Sequence, residues 1–396
     1  MNNYKKGLRS NIWKYYLFEG LWSLVFFFPI FQLFYLARNM NITQIAFISI
    51  AFSIVVLIFE VPSGVLADKW GRKKTLFLSQ TFFIIGMLII IVSNSFWLFL
   101  IASMFVGLWW ACYSGTGVAF FYDTLKELKH EKRYEKHMGR LNLFTGIVAF
   151  IAAFIAGFLF EIDITLPYIL SMVSAILSLF VIIQFTEPRF HKPAEEENIL
   201  MHFKESFSRV LKSEYLVFIV IFSAIMLFAL DYIFSYAQIY FKLINIPFFL
   251  FGIIFAFEAL TEGLGSWAAS RIKDAFSYRK IFSISLLLVL LTVFSMSYFK
   301  NYFGLVLFFL AMFINGIFRI IRRGYIHIRV ESHHRATIDS ISTFGMAIFA
   351  IIFEPIAGRI ADIYTIQTSF LVLACILGIY TLYFFIFKFN KKKLFK

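Results

Sequence analysis

Gly64-Val65-Leu66-Ala67-Asp68-Lys69-Trp70-Gly71-Arg72-Lys73-Lys74 is the break between two long apolar runs, and its reading decides the fold. A short cationic turn joining two membrane-length helices is a cytoplasmic hairpin. Gly64 and Gly71 permit close helix approach and positive φ where the chain reverses. Lys69, Arg72, Lys73 and Lys74 hold the turn on the inner side of a bilayer. Asp68 can pair with an arginine or accept from a free helix N-terminus.

Outward from this stretch, apolar runs of about 20 residues recur along the chain, each long enough to cross a hydrocarbon core of about 30 Å. Hydrophobic residues make up 61% of the sequence and charged residues 15%, which leaves no room for a sizeable soluble domain. Hydropathy predicts twelve spans at approximately 14–36, 44–67, 75–94, 96–123, 139–160, 165–185, 215–241, 247–270, 280–299, 302–325, 337–360 and 367–387. The fold class is all-α integral membrane. The net charge of +14 invites a nucleic-acid reading, but its distribution opposes one. With both termini inside, all but Arg38, Lys242, Lys300 and Arg359 of the 37 Lys and Arg fall in inner segments. The basic balance is therefore topological, with attraction to anionic lipid as a secondary effect.

The N-terminal apolar run is too long for a secretory signal and lacks a small-residue cleavage site, so it reads as a retained first helix. Cys112 and Cys375 fall inside predicted spans and imply no disulfide framework. His333-His334 reads as a solvated loop pair, so no metal and no cofactor is expected. Residues 1–185 form an N-terminal six-helix bundle in this reading and 215–396 a C-terminal bundle with a basic tail. Residues 186–214, starting at Thr186-Glu187-Pro188-Arg189, form a cytoplasmic linker whose stretch Ile199 to Leu211 carries an apolar helical stripe.

The pattern G-x-L-A-D-x-x-G-R-K resembles the loop signature between helices 2 and 3 of the major facilitator superfamily. Its flank, Glu60-Val61-Pro62-Ser63-Gly64, resembles the bacterial drug:proton antiporter branch. Ser114 to Lys126 resembles the end of helix 4 in drug-efflux members, and Arg335-Ala336-Thr337 the start of helix 11, followed by Glu354-Pro355 and Gly358. Arg271 to Lys280 repeats the hairpin in the second half, with charges but without glycines. One departure bears on direction: helix 5 has no proline between Gly146 and Gly157, where antiporters of the family often carry a Gly-Pro-rich motif. The resemblance implies two six-helix bundles and alternating access, with spans 1, 4, 7 and 10 around a central cavity. It also implies an inner gate of Glu60, Gly64, Asp68, Gly71, Arg72, Asp123 and Arg335, in which Arg72 meets Asp123 and Asp68 approaches Thr337.

Ionisable residues inside spans are costly and point to function. Asp231 and Glu258 lie near mid-span, and Glu19 in span 1. Glu258 and Glu262 are four residues apart on one helix face. Glu262, Arg319 and Glu354 read as structural pairs. A buried carboxylate can take up a proton near neutral pH, as a proton-coupled carrier requires. Asp231 and Glu258, on consecutive spans, are expected to be neighbours. Gln32, Trp109, Trp110, Tyr113, Asn142, Tyr232, Tyr236, Gln238 and Asn315 are candidate pathway residues by stacking, cation–π contact or hydrogen bonding.

The expected function is proton-coupled export of a lipophilic or cationic small molecule by a secondary transporter. The alternatives are an uptake symporter for a nutrient or metabolite and a membrane enzyme or sensor. No nucleophile–base pair, metal cluster or phosphate loop supports an enzyme. Expected partners are a small-molecule substrate, protons and membrane lipid, with no nucleic acid. A monomer in a bacterial inner membrane, both termini cytoplasmic, completes the reading.

Overall fold

A computed structural model of the chain describes residues 3–189, 213–329, 332–391 and 394, apart from the side chains of 332–337, 339 and 340. The amphipathic stripe at 199–211 and the side chains of Arg335 and Thr337 lie outside the described residues. Helices dominate, and no strand occurs among the described residues. In chain order they are α1 (Asn3–Trp22), α2 (Phe31–Ala37), α3 (Ile42–Trp70), α4 (Arg72–Val92), α5 (Phe96–Ser114), α6 (Thr116–Glu127), α7 (Tyr134–Ile162) and α8 (Leu166–Ile183). There follow α9 (Glu214–Leu243), α10 (Phe248–Ala275), α11 (Tyr278–Tyr298), α12 (Phe303–Arg329), α13 (Ser332–Ile363) and α14 (Ile366–Tyr383). With α5 and α6 taken as one span, 11 described helices are long and apolar enough to cross a membrane.

The first predicted span departs from expectation. Instead of one helix over 14–36, α1 ends at Trp22, residues 23–27 are non-helical, and a 3-10 turn at Phe28–Ile30 leads into α2. Pro29 explains the restart: it has no N–H to donate and its fixed φ suits the first turn of a helix.

Two compact units divide the chain. One contains Met1–Met40, Phe47–Glu195 and Phe248–Ala256, and the other Asn41–Ala46, Glu196–Pro247 and Phe257–Lys396. In the first unit α4 packs on α5 and α8, and α1 packs on α6, α7 and α8. Its core gathers Tyr15, Phe18, Leu76, Phe120, Phe121 and Ile182. In the second unit α9 packs on α12 and α13, and α11 on α12 and α14. Large apolar side chains such as Val92, Trp97, Ile379 and Leu382 face outward, as a lipid-exposed surface requires.

Close crossings depend on missing side chains. Gly316 on α12 faces the Glu262 carbonyl of α10, and Gly265 faces the Phe313 carbonyl; a methyl group at either would overlap that oxygen. Backbones meet closely here because helices in lipid gain contact area through small residues.

Candidate functional site

At the hairpin, α3 continues through Gly64 to Trp70, and the reversal is made at Gly71 alone, with φ 106°. Gly64 therefore supplies neither positive φ nor close approach: a Cβ there would meet open space. The helix runs through Pro62, whose missing N–H costs one backbone bond without ending the helix. Arg72 Nη2 lies 3.0 Å from Asp123 Oδ2 and 3.9 Å from Asp68 Oδ1. Asp123 is buried on α6, Asp68 is exposed, and Glu60 is exposed on α3.

A residue that sequence reasoning missed completes this cluster. Glu187, just past α8, accepts from the backbone N–H of Arg72 and of Lys73, at 2.7 Å each. One carboxylate thus satisfies two of the free N–H groups that begin α4, where its charge also suits the helix dipole. The signal was present as Thr186-Glu187-Pro188-Arg189, an acid in a basic segment near a helix start. Neighbouring residues are held too. Asn11 donates to the Thr186 carbonyl at 2.8 Å and accepts from its N–H at 3.0 Å. Lys73 Nζ donates to the Ile183 carbonyl at 2.6 Å. Tyr4 donates to Glu127 at 2.7 Å, and the Arg189 guanidinium lies over the Tyr4 ring. Burial, reinforced by the Glu127 carboxylate, pushes the Tyr4 phenol up to about 12.

Deeper in the first unit, Glu19 is buried on α1 and accepts from Tyr113 at 2.7 Å, with the Tyr15 hydroxyl also facing it. Trp22 stacks on Tyr113 with ring centres 4.7 Å apart and on Trp109 at 5.7 Å. Trp110 is partly exposed beside them. Gln32 is buried on α2, whereas Asn142 is exposed on α7.

In the second unit, Arg319 of α12 pairs with Glu262 of α10 at 2.7 Å. The Gly316–Gly265 crossing sets this pair, since each charged residue lies one turn from a glycine. Arg319 is also within electrostatic range of Asp231 on α9 and of Glu258, one turn before Glu262. Asp231 is half-buried and Glu258 buried. Asp231 further interacts with buried Glu354 of α13, which accepts from Tyr236. Glu354 is thus tied to the cluster, a link that spacing along the sequence does not show. Tyr232 stacks on Tyr236 at 4.3 Å and donates to Ser369 at 2.8 Å. Gln238 is buried on α9 and Asn315 half-buried on α12. Among the described residues no group of His, Cys, Asp and Glu has the arrangement of a metal site.

The chain is 25% identical over 254 residues to YxaM of Bacillus subtilis, an uncharacterised MFS-type transporter; the match covers 62% of this chain and 63% of YxaM. A transporter of Buchnera aphidicola is 26% identical over 44% of this chain and 42% of its own length. The chain therefore spans less than two thirds of these relatives. Among solved structures, the nucleoside transporter NupG superposes with a TM-score of 0.72 at 16% identity, covering 98% of this chain and all of NupG. A D-xylose-proton symporter superposes with a TM-score of 0.67 at 14% identity, covering 96% and 98% of the two chains. At such identities the likeness establishes the fold. A profile of the Major Facilitator Superfamily matches residues 18–321. With its membrane-length apolar helices the chain is a multi-pass membrane protein, and it belongs to the major facilitator superfamily.

Proposed function

We propose that this protein is a proton-coupled secondary transporter that exports lipophilic or cationic small molecules by alternating access. One observation carries the coupling: three carboxylates, Asp231, Glu258 and Glu262, lie within reach of the Arg319 guanidinium, and a fourth, Glu354, joins them through Asp231. One cation balances one of four negative charges, and an apolar interior penalises the rest. Protons are the economical counter-charge, and the cluster titrates as a unit rather than residue by residue. A cationic substrate that displaces a proton from this cluster would exchange one positive charge for another.

Glu19, set among Trp22, Trp109, Trp110 and Tyr113, supports the cationic class, because aromatic faces beside a carboxylate attract organic cations. Asp68, Arg72 and Asp123 form the cytoplasmic gate in this reading, with Glu187 holding its base. Uptake is the second reading, favoured by the absence of proline in α7. Two proteins of the same fold are described as a nucleoside transporter and a D-xylose-proton symporter.

Proteoliposomes with an imposed pH gradient separate the readings. Tetraphenylphosphonium and ethidium, then nucleosides and pentoses, are offered on each side of the membrane. Gradient-driven accumulation of a cation on the acidic side supports export by exchange. Co-accumulation of a neutral solute with protons replaces export with uptake, and flux that ignores the gradient removes the coupling.

A further inference from the structure

The interruption falls in the middle of the first predicted span, 14–36, and inside a bilayer non-helical backbone persists only if protein or a water-lined cavity satisfies it. Helix α8 satisfies part of it. Ser174 donates to the Leu21 carbonyl at 2.5 Å, and Ser171 accepts from the Phe26 N–H at 2.9 Å. Against the break lies a small cavity bounded by Trp22, Gln80, Phe83, Trp109, Ser171 and Ala175, with room for about one water-sized group.

Three buried polar atoms of its lining residues have no hydrogen-bond partner among the described residues: Trp22 Nε1, Trp109 Nε1 and Gln80 Oε1. Gln80 and Trp109 are 2% and 7% exposed, so bulk water does not reach them freely. The orientation of the Gln80 amide follows from its neighbours. Ser178 spends its proton on the Ala175 carbonyl, so it must accept from the amide nitrogen of Gln80. The oxygen of Gln80 is then left as an acceptor. The residues lining the cavity thus carry two donors and one acceptor without a partner among the described residues. Its complement accepts two hydrogen bonds and donates one. A carboxylate or carbonyl cannot donate to Gln80, and an ammonium cannot accept from the indoles. A hydroxyl group meets all three.

We propose that the broken first span is a binding subsite for a single hydroxyl group, held by Trp22, Trp109 and Gln80. Discontinuous helices at mid-membrane frequently build transporter sites, and here the discontinuity supplies the room. The assignment goes beyond proton coupling and does not depend on it. The hydroxyl can belong to a resident water or to a hydroxylated solute, and one experiment distinguishes them.

The full chain is labelled with 15N at its 7 tryptophans and placed in lipid nanodiscs. Trp22→Phe and Trp109→Phe assign the two indole resonances. Magnetisation transfer to these indole protons is measured in buffer, with D-xylose as a polyhydroxyl probe, and with tetraphenylphosphonium, which has no O–H. Transfer from water in buffer is expected at both indoles, and Gln80→Met should shift both resonances and reduce that transfer. Water transfer that persists in xylose assigns the subsite to water. Its replacement by transfer from xylose protons assigns it to a substrate hydroxyl. Absence of transfer from any hydroxyl-bearing species overturns the proposal, as do resonances unmoved by Gln80→Met. If that variant does not fold, the wild-type transfer measurement decides alone.

Discussion

Removing acids one at a time around Arg72 should rank three residues by burial rather than by motif membership. Arg72 lies 3.0 Å from Asp123, with side chains 15% and 9% exposed. Asp123→Ala leaves a guanidinium partly desolvated, and breaking such a pair costs about 3–5 kcal/mol. Asp68, 3.9 Å away, moderates that toward the lower end. Glu187→Ala removes the acceptor for two N–H groups at the start of α4, at about 0.5–2 kcal/mol. Asp68→Asn acts on a side chain 38% exposed, so about 0–1 kcal/mol is expected. Its effect should fall on transport rate, with expression and substrate binding retained. Unfolding of the purified variants in detergent, alongside flux in vesicles, gives both readouts. Arg72→Ala combined with Asp123→Ala should lose less than the two single losses added, since no unpaired charge remains. Additive losses, or an Asp68→Asn as unstable as Asp123→Ala, would refute the buried pair as the structural centre of the hairpin.

Other outcomes follow from the same geometry. Gly316→Ala should destabilise by about 1–3 kcal/mol through overlap with the Glu262 carbonyl, whereas Gly324→Ala, whose added methyl meets only Tyr278 at 3.7 Å, should be neutral or stabilising in the same unfolding assay. Asp362 accepts from the N–H groups of Ile42 and Thr43 at 2.7 and 3.0 Å, so Asp362→Ala should cost about 0.5–2 kcal/mol as a lost helix cap. The Tyr4 phenol is raised, so the folded state keeps a proton that the unfolded state has released. Its contribution is present below about pH 10 and fades as pH rises toward about 12, and Glu127→Gln should lower that phenol in an ultraviolet titration. Single cysteines at Asn2, Glu196 and Lys392, with Cys112 and Cys375 replaced, should resist an impermeant thiol reagent on intact cells; rapid labelling would overturn cytoplasmic termini.

Hydropathy and the placement of Lys and Arg made the helical membrane fold legible, because a bilayer admits few backbone solutions. The Arg72–Asp123 contact was legible through motif offsets. The extent of α3 was not: Gly64 looked like a turn, yet a glycine inside a membrane helix is tolerated where nothing forces a reversal. The break after Trp22 was marked only by Pro29, within a run of phenylalanines that reads as continuous by hydropathy alone. Glu187 was hidden because capping joins residues 115 apart in sequence. The Glu262–Arg319 pair depends on a helix crossing at glycine, which leaves only a weak trace in a chain with 20 of them, and the link between Asp231 and Glu354 joins residues on helices far apart in sequence.

The central claim is that Asp231, Glu258 and Glu262 around Arg319, with Glu354 joined through Asp231, couple protons to transport. It is tested most directly by comparing wild type with Asp231→Asn and Glu258→Gln in proteoliposomes, measuring uphill accumulation under a pH gradient and downhill exchange without one. The account predicts that Asp231→Asn loses uphill transport and keeps exchange, while Glu258→Gln shifts the pH dependence of substrate binding. Wild-type uphill transport and an unchanged pH profile in both variants would contradict it.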